Sequence, residues 1–279
     1  MVNKERTVID PNPEQLAQIL QSVSLQVGVP LHETYKHSCL LRRTTARIRR
    51  SGCCDAEQYL QLVASDQQEQ RKLYDALMIH VSHFFRNPSL FVVLQQQILP
   101  DLAAQAGPGQ HLQLWSLGCS SGEEPYSLAI LLVESFAELL RKGAVSIVAA
   151  DNDERTLQAA RQGRYTAAAL REVSDERRSR FFIEERGTWL VRECLRQLVQ
   201  FRRLDLAQLA SPGYPLDLLL CRNTLIYFNR ATQEKILHRL ADILRQDGIL
   251  VLGKSETMPA GLRGRFITVD PAERIYRRR

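Results

Sequence analysis

The sequence predicts two kinds of structure in succession, an all-α N-terminal domain over residues 1–102 and a doubly wound α/β domain over residues 112–279. In the first part, leucine-type residues recur at spacings of three and four, and strand patterns are nearly absent. In the second part, short apolar runs alternate with amphipathic stretches, which is typical of a Rossmann-like parallel sheet with helices on both faces. The small-residue segment AAQAGPGQH, residues 103–111, is predicted to link the two domains.

The N-terminal helices are predicted from segments with helical periodicity. They are EQLAQILQSV, LLRRTTARIRR, DAEQYLQLVAS and EQRKLYDALMIHV. A further helix is predicted through LFVVLQQQIL. Asn87 and Pro88 stand directly before it, and they place a typical N-cap residue ahead of a proline in the first turn.

The strands of the second domain are predicted where leucine and β-branched residues run together. They are LQLWSL, VSIVAAD, LVQFRRLDL, LDLLLCRN and ILVLGKSE, with FITV and RIYRR as a closing hairpin. TQEKILHRLADIL is predicted to be a helix. In such a sheet the ligand lies beyond the carboxyl ends of the strands.

Composition restricts the class of protein. The chain has 279 residues, 44% of them hydrophobic and 24% charged, which is typical of a globular protein that buries a sizeable core. Its longest apolar stretches, such as LAILLV, are far shorter than the ~20 residues that span a bilayer, so a cytoplasmic protein without membrane insertion is expected. The six cysteines show no zinc-ligand spacing, so no metal site is expected.

The first strand-to-helix turn, GCSSGEE, begins at Gly118 and ends in Glu123 and Glu124. It is neither of the usual glycine-rich phosphate motifs. A carboxylate roughly 6 Å from a phosphate costs ~3 kcal/mol at an effective dielectric constant near 20, so a phosphate ligand is disfavoured. The turn favours an adenosine-type ligand with a cationic reactive end, such as S-adenosylmethionine. Alternatively, the two glutamates only complement the helix dipole.

Two aspartates follow later strands at the same predicted edge. Asp151 closes VSIVAAD and is predicted to accept hydrogen bonds from ribose hydroxyls; the alternative is a helix cap, for which Asp153 is better placed. Asp205 ends FRRLDL and is predicted to meet the adenine amino group, with a solvated loop aspartate as the alternative.

Four motifs in order, HVSHFFRNP, GCSSGEEPYS, LLLCRNTLIYFN and GKSE, resemble the CheR family of chemoreceptor glutamate methyltransferases, and the similarity covers nearly the whole chain. The resemblance implies S-adenosylmethionine bound between a helical domain and a methyltransferase domain. It further implies methyl transfer to glutamate side chains on the cytoplasmic helical domain of chemoreceptors, with glutamate methyl esters and S-adenosylhomocysteine as products.

The resemblance also assigns site residues. The family's cofactor contacts correspond to Ser82, Arg86, Glu124, Asp151, Asp205, Leu206, Arg222 and Asn223. Arg86 and Tyr227 correspond to the residues beside the reacting methyl group and are the predicted catalytic residues. His80 stands where family members commonly carry Asn, and it is expected to donate one hydrogen bond to the cofactor.

A small antiparallel subdomain is expected over residues 181–203. Its EERGTW loop is shorter than the loop of family members that grip a receptor tail peptide, so tail tethering is not expected.

The proposed chemistry suits these residues. A glutamate acceptor is already ionised at pH 7, so methyl transfer to it needs no general base. Arg86 would hold the acceptor carboxylate and Tyr227 would line the site; the alternatives are an Arg paired with a structural Glu and a Tyr buried in the sheet. Phe84 and Phe85 are predicted to be packing residues, with adenine stacking as the alternative.

No acidic residue lies between Thr34 and Cys54, and Arg43, Arg47 and Arg50 share one helix face. Because this face has no compensating acid in the same span, it is predicted to bind an anionic partner, and the family resemblance implies that this partner is the receptor; a solvated helix face is the alternative. The net charge of +6 also fits nucleic acid, but the span lacks aromatic residues that would stack on bases. Two other functions stay open, a non-catalytic regulator that binds the cofactor or its demethylated product, and an RNA methyltransferase.

Overall fold

The computed structural model describes residues 10–78, 82–105 and 111–279, which form two compact units. Residues Met1–Ile79 cluster with Tyr227–Gln233, and His80–Ile226 cluster with Glu234–Arg279. The predicted domain boundary at 102 therefore falls inside the second unit. Among the described residues, no helix has both the length and the apolar character needed to cross a bilayer.

The first unit contains the predicted N-terminal helices. They are α1 (Pro13–Val27), α2 (Leu31–Thr34), α3 (His37–Ser51), α4 (Ala56–Ser65) and α5 (Gln67–Leu77). A capping box starts α1, in which Asn12 Oδ1 accepts from the Gln15 N–H at 2.9 Å and Gln15 Oε1 accepts from the Asn12 N–H at 3.1 Å. Buried leucine and isoleucine residues of α1, including Leu16 and Ile19, form part of the core of this unit.

A short segment from late in the chain belongs to this helical unit. The Lys36 N–H donates to the Tyr227 carbonyl at 2.9 Å, and the Asn229 N–H donates to the Thr34 carbonyl at 3.1 Å. Tyr35 and Phe228 form an antiparallel bridge, with their rings stacked 4.9 Å apart. The segment Tyr227–Gln233 is thus held by the turn between α2 and α3.

Within the residues that the structure describes, the second unit is built on ten strands. They are β1 (Leu112–Leu117), β2 (Val145–Asp151), β3 (Arg164–Tyr165), β4 (Phe182–Glu185), β5 (Thr188–Val191), β6 (Val199–Arg203), β7 (Leu216–Cys221), β8 (Leu244–Leu252), β9 (Phe266–Asp270) and β10 (Ile275–Arg278). Seven of them form a sheet in the order β6-β2-β1-β7-β8-β10-β9. The first five of that order are parallel, and β10 pairs antiparallel with both β8 and β9. The loops after β1 and β7 therefore meet where the strand order reverses, which is the usual ligand position.

Further helices follow α5 along the described chain. They are α6 (Pro88–Val93), α7 (Leu99–Gln105), α8 (Glu123–Ser135), α9 (Ala137–Arg141), α10 (Glu154–Gln162), α11 (Asp175–Phe181), α12 (Glu193–Arg196) and α13 (Arg230–Ile243). A π-helical turn over Leu94–Ile98 joins α6 to α7. Leu90 and Leu94 share a buried cluster with Leu114 and Ile130, so the helix predicted at 88–99 packs against the sheet. Its apolar period predicts a helix but not which core the helix joins.

The small antiparallel sheet is confirmed, with the order β3-β5-β4. Between β4 and β5, Arg186 (φ 51°) and Gly187 (φ 78°) form a two-residue turn. Two successive residues with positive φ match the twist of a tight hairpin. The predicted span 181–203 differs at its end, because Val199–Arg203 pairs with β2 in the large sheet.

Candidate functional site

The glycine turn after β1 is tightly built at both ends. Gly118 has φ 68°, and a Cβ added there would lie 2.1 Å from Thr224 Oγ1 in the loop after β7. Gly122 has φ 93°, and its Cβ would lie 2.9 Å from Ala160 Cβ. Side chains other than hydrogen fit neither the space nor the backbone conformation. The loops after β1 and β7 therefore approach each other more closely than an alanine would permit.

Glu124, in the first turn of α8, is the centre of a buried polar network. Its Oε1 accepts from Ser116 Oγ at 2.8 Å, and its Oε2 accepts from Arg222 Nη1 at 2.8 Å. Arg222 also donates through Nη2 to the Arg86 carbonyl at 2.9 Å and to Asn87 Oδ1 at 2.8 Å. Arg222 thus ties the loop after β7 to the glycine turn and to the segment before α6.

This pairing corrects the electrostatic argument made from the sequence. Glu124 was expected to present its charge to a cationic ligand, but the side chains of Arg222 and Glu124 are only 3% and 14% exposed and form an ion pair. Burial of a single charge costs several kcal/mol, so each of the two requires the other. The sequence pattern shows the acid of the turn but not the arginine that arrives from another strand.

Glu123 has a different role. It is 4% exposed, and its carboxylate accepts from Ser121 Oγ at 2.8 and 2.9 Å. Its carbonyl accepts from Ser127 Oγ at 2.6 Å, and Ser127 Oγ accepts from the Phe85 N–H at 2.9 Å. These contacts support the structural interpretation of Glu123, in which it stabilises the turn and the start of α8.

Asp151 closes β2 and remains partly exposed. Its carboxylate accepts from the Ser120 N–H at 2.9 Å and from the Asp153 N–H at 3.0 Å. Asp153 is the cap of α10, since its side chain accepts from the Arg155 N–H at 2.9 Å. The two Asp151 oxygens keep acceptor capacity beyond these bonds, as a ribose diol requires. The acids, loops and glycine turn at this edge therefore fit an adenosine ligand.

Asp205 and Leu206 follow β6 at the same edge of the sheet. Asp205 is partly exposed, and its Oδ1 accepts from the Ala207 N–H at 2.9 Å, which caps a short 3-10 turn. Leu206 is buried. The capping contact adds a structural role to Asp205 beside the predicted adenine contact, which stays a prediction.

The loop after β7 depends on a residue whose role the sequence did not reveal, Glu256. It is 4% exposed and accepts four backbone N–H groups, from Gly253 (2.6 Å), Asn223 (3.1 Å), Thr224 (2.9 Å) and Leu225 (2.7 Å). Burial raises the pKa of Glu256, and these four hydrogen bonds oppose that rise. Asn223 has φ 57°, so Glu256 fixes a predicted cofactor residue in an uncommon conformation.

The GKSE motif supplied part of the resemblance but gave Glu256 no role. The available signal was an acid three residues after a glycine that ends an apolar run. Glu256 is therefore the residue of this candidate site that the sequence analysis missed, and it fixes the backbone of Asn223.

The segment between Ser82 and Asn87 is bent by positive φ angles at Phe85 (53°) and Asn87 (65°). Phe84 and Phe85 are 0% and 2% exposed, and the Phe84 ring meets the Tyr165 ring edge-on at 4.8 Å. Their prediction as packing residues is confirmed, and burial at this level leaves no face for adenine. Asn87 precedes α6, but its side chain makes no cap bond and instead accepts from Arg222.

The other predicted residues of this segment are Ser82, Arg86 and His80. Ser82 and Arg86 are both partly exposed, and His80 lies outside the described residues. The pKa of His83 is lowered, first by burial and then by Arg171 and Arg86. His83 is therefore neutral near pH 7, and the positive charge in this segment belongs to the arginines.

The two predicted catalytic residues belong to different units. Arg86 lies in the second unit, whereas Tyr227 begins the segment that clusters with the N-terminal helices. The ring of Tyr227 faces Arg43, whose Cζ lies 5.2 Å from the ring centroid. Tyr227 is thus held in the helical unit and is not buried in the sheet.

The predicted receptor-binding face of Arg43, Arg47 and Arg50 is wrong in its geometry. Arg43 is 8% exposed and donates to the Leu77 carbonyl at the end of α5. Arg47 makes two hydrogen bonds of 2.7 Å to Glu69. Only Arg50 of the three is exposed.

The error has a physical cause. The missing acid was sought within the same span, but α5 supplies both Glu69 and a free C-terminal carbonyl. Three arginines of α3 are exposed, and Arg50 is the one member of the predicted face among them. They are Arg42, Arg49 and Arg50.

The comparisons with known proteins match both parts of the chain. Residues 14–78 match the family described as CheR methyltransferase, all-alpha domain, and residues 80–275 match CheR methyltransferase, SAM binding domain. The chain is 34% identical over 246 residues to a chemotaxis protein methyltransferase of Klebsiella aerogenes, covering 85% of this chain and 81% of that protein. It is 38% identical over 190 residues to chemotaxis protein methyltransferase 1 of Pseudomonas aeruginosa, covering 66% and 68% of the two chains.

A third relative is longer. An uncharacterized 104.1 kDa protein of Rhodobacter capsulatus is 33% identical over 246 residues, which cover 88% of this chain and 26% of the relative. The chain thus spans about a quarter of that protein and most of the other two. On the strength of both domain matches and these identities, the chain belongs to the CheR methyltransferase family, with an all-α N-terminal domain and an S-adenosylmethionine-binding methyltransferase domain.

Proposed function

We propose that this S-adenosylmethionine-dependent methyltransferase esterifies glutamate side chains on the cytoplasmic helical domain of chemoreceptors. The observation that carries the donor half is the Glu124–Arg222 ion pair at the reversal of strand order, with Asp151 at the end of the neighbouring strand. The acceptor half is supported by the chemotaxis methyltransferases that match most of the chain.

The ion pair suits the amino-acid end of the cofactor. That end carries an ammonium and a carboxylate. Glu124 can accept a hydrogen bond from the ammonium, and Arg222 can donate one to the carboxylate. A triphosphate carries negative charge only, and the ion pair as a whole is neutral, so the pair offers a triphosphate no net attraction. In this proposal Asp151 takes the ribose diol and Asp205 the adenine amino group, while Ser82, His80, Leu206 and Asn223 complete the contacts.

In the proposed methyl transfer, the main task of the protein is to align the acceptor carboxylate with the methyl group. Bound S-adenosylmethionine supplies an electrophilic methyl group on sulfur. A glutamate acceptor is ionised at neutral pH, so no residue has to remove a proton. Arg86 holds the acceptor carboxylate with one oxygen toward the methyl group, and Tyr227 lines the reacting centre. Alignment and exclusion of water then provide the rate.

The direct test is transfer of a labelled methyl group. We expect the protein, incubated with methyl-labelled S-adenosylmethionine and membranes carrying its own chemoreceptors, to label a receptor chain, and mild alkali to release the label as methanol. Arg86→Ala should abolish labelling while the circular dichroism spectrum is unchanged. Arg171→Ala removes an exposed arginine whose guanidinium contacts His83, and this control variant should keep labelling.

Each alternative has its own outcome. Alkali-stable label on RNA would replace the proposal by an RNA methyltransferase. Tight calorimetric binding of S-adenosylmethionine, with no label on any receptor, would replace it by a non-catalytic regulator. Near-normal transfer by Arg86→Ala would refute the role given to Arg86.

The receptor surface is proposed at the exposed arginines of α3, Arg42, Arg49 and Arg50. Exposed arginines there suit an acidic helical surface, and long-range attraction between them should weaken with salt. Reversing Arg42, Arg49 and Arg50 to Glu should raise the KM for receptor at least about tenfold, which corresponds to ~1.4 kcal/mol. The affinity for S-adenosylhomocysteine should not change.

A control must change the same net charge elsewhere. Arg141, Lys142 and Arg263 are exposed residues of the second unit, and reversing all three to Glu matches the charge change. Equal losses in both triple variants would show a general charge effect and would remove the α3 face from the proposal.

A further inference from the structure

We propose that Arg43 is a positioning residue that fixes the ring of Tyr227 for methyl transfer, so that the N-terminal helical unit sets the geometry of a catalytic side chain. The inference rests on the proposed role of Tyr227 beside the reacting methyl group. It replaces the receptor-binding role that the sequence predicted for Arg43.

Arg43 is itself fixed at its guanidinium group. It is 8% exposed, and it donates to the Leu77 carbonyl in the last turn of α5. The last carbonyls of a helix have no partner within the helix, and a cation there also opposes the negative end of the helix dipole. Arg43 is therefore anchored to α5 independently of Tyr227.

The same guanidinium lies against the aromatic ring. Its Cζ is 5.2 Å from the centroid of the Tyr227 ring, within the range of cation–π attraction. Such contacts are stronger when water is excluded, and burial is the largest influence on Arg43, lowering its pKa. Arginine keeps its charge under such a shift, so the contact persists across the physiological pH range.

The backbone on either side of the ring is held by the same unit. The Tyr227 carbonyl accepts from the Lys36 N–H at 2.9 Å, and the next residue, Phe228, stacks on Tyr35 at 4.9 Å. These contacts fix the backbone of Tyr227. The Arg43 guanidinium contacts the ring itself and so restricts its side-chain torsions.

A purely structural role predicts different behaviour. Arg43 could only stabilise the helical unit, as Arg47 does one turn later through its ion pair with Glu69. Arg47 makes its two side-chain hydrogen bonds to Glu69, so Arg47→Met is a control for loss of stability in the same helix. Arg43→Met keeps much of the side-chain volume of Arg43 and removes the charge.

The test compares these variants at a temperature where all are folded. We expect Arg43→Met to lower kcat for receptor methylation at least about tenfold, with the KM for receptor and the affinity for S-adenosylhomocysteine within about twofold of wild type, a loss of ~1.4 kcal/mol confined to the transfer step. Arg43→Lys should restore part of kcat. Arg47→Met should lower the melting temperature and leave kcat within about twofold.

A double-mutant cycle adds the coupling between the two residues. In a Tyr227→Phe background, Arg43→Met should cost much less than in wild type, because both changes disturb one arrangement. Full additivity, or a kcat for Arg43→Met equal to that of Arg47→Met, would overturn the inference.

A measurement that does not depend on enzyme activity separates this inference from the proposed function. With 3-fluorotyrosine at position 227, Arg43→Met should shift the fluorine resonance and Arg47→Met should not. If wild type methylates no receptor, the proposed function fails, and the resonance alone decides whether Arg43 orders the ring. An unchanged resonance in Arg43→Met would overturn the positioning role even if the enzyme is active.

Discussion

Replacing Glu256 by glutamine is expected to loosen the loop after β7 and thereby weaken cofactor binding. Glu256 Oε1 accepts from the Thr224 and Leu225 N–H groups, and Oε2 accepts from the Asn223 and Gly253 N–H groups. A glutamine can present one oxygen to one of these pairs. Its amide nitrogen then faces the other pair, donor against donor, in a site that is 4% exposed.

The magnitude follows from this count. Two buried N–H groups lose their acceptor, at about 1–3 kcal/mol each. Glutamine also removes the burial cost of a charged carboxylate, which the raised pKa of Glu256 reflects. We therefore expect a net loss of about 3 kcal/mol in the free energy of unfolding. If about half of this loss of free energy falls on the cofactor-binding conformation of Asn223 and Thr224, the affinity for S-adenosylhomocysteine falls about tenfold.

Urea denaturation and titration calorimetry with S-adenosylhomocysteine measure the two quantities. Glu273→Gln is the matched control, because Glu273 is also buried but accepts from side chains, Ser89 at 2.8 Å and Lys254 at 3.2 Å. It should leave the affinity within about twofold. The reasoning is wrong if Glu256→Gln binds S-adenosylhomocysteine as tightly as wild type, or if both variants weaken binding equally.

Two further predictions concern stability and the glycine turn. Glu69→Gln leaves Arg47 without its anionic partner and should lower the free energy of unfolding by about 3 kcal/mol in urea. Burial alone would raise the pKa of Glu69, but hydrogen bonds from Arg47 and Tyr59 lower it overall. The stabilisation by Glu69 is therefore present above the unfolded pKa and is lost as the pH falls through the folded pKa. The difference in the free energy of unfolding between wild type and Glu69→Gln should shrink below about pH 4.5, and a difference that is constant with pH would contradict this. Gly118→Ala should abolish binding of S-adenosylhomocysteine in calorimetry, because the added Cβ would lie 2.1 Å from Thr224 Oγ1. A second change in the same chain, Thr224→Ala, should restore part of the binding. Undiminished binding by Gly118→Ala alone would show that the turn can relax.

The sequence predicted those features that depend on local pattern and on the rules of parallel sheets. The strands from LQLWSL to RIYRR were predicted from apolar runs, and their carboxyl ends bring Gly118, Asp151 and Asn223 to one edge because parallel strands point the same way. Asp153 was correctly preferred over Asp151 as the helix cap, since its position relative to the first helical residue is a local property.

Other features depend on contacts between segments distant in the chain. Arg47 meets Glu69 across 22 residues and Arg222 meets Glu124 across 98, and no periodicity shows such partners. A helical period shows which residues share a face but not whether that face meets solvent or a neighbouring helix. For the same reason, the sequence placed Tyr227 in the sheet domain, whereas its backbone and ring are held by residues near Lys36.

The buried charges of the site are compensated by the protein itself, and this suits the proposed reaction. Glu124 is paired with Arg222, and Glu256 is met by four backbone N–H groups. A methyl transfer from sulfonium to carboxylate removes both charges, so strong stabilisation of the reactants by unpaired protein charges would slow the step. In the proposed function, these carboxylates are already engaged by the protein, so they would add little unpaired charge near the reacting atoms. The rate would then depend on how well Arg86 and Tyr227 align the acceptor, and the contact between Arg43 and the Tyr227 ring would affect kcat more than binding.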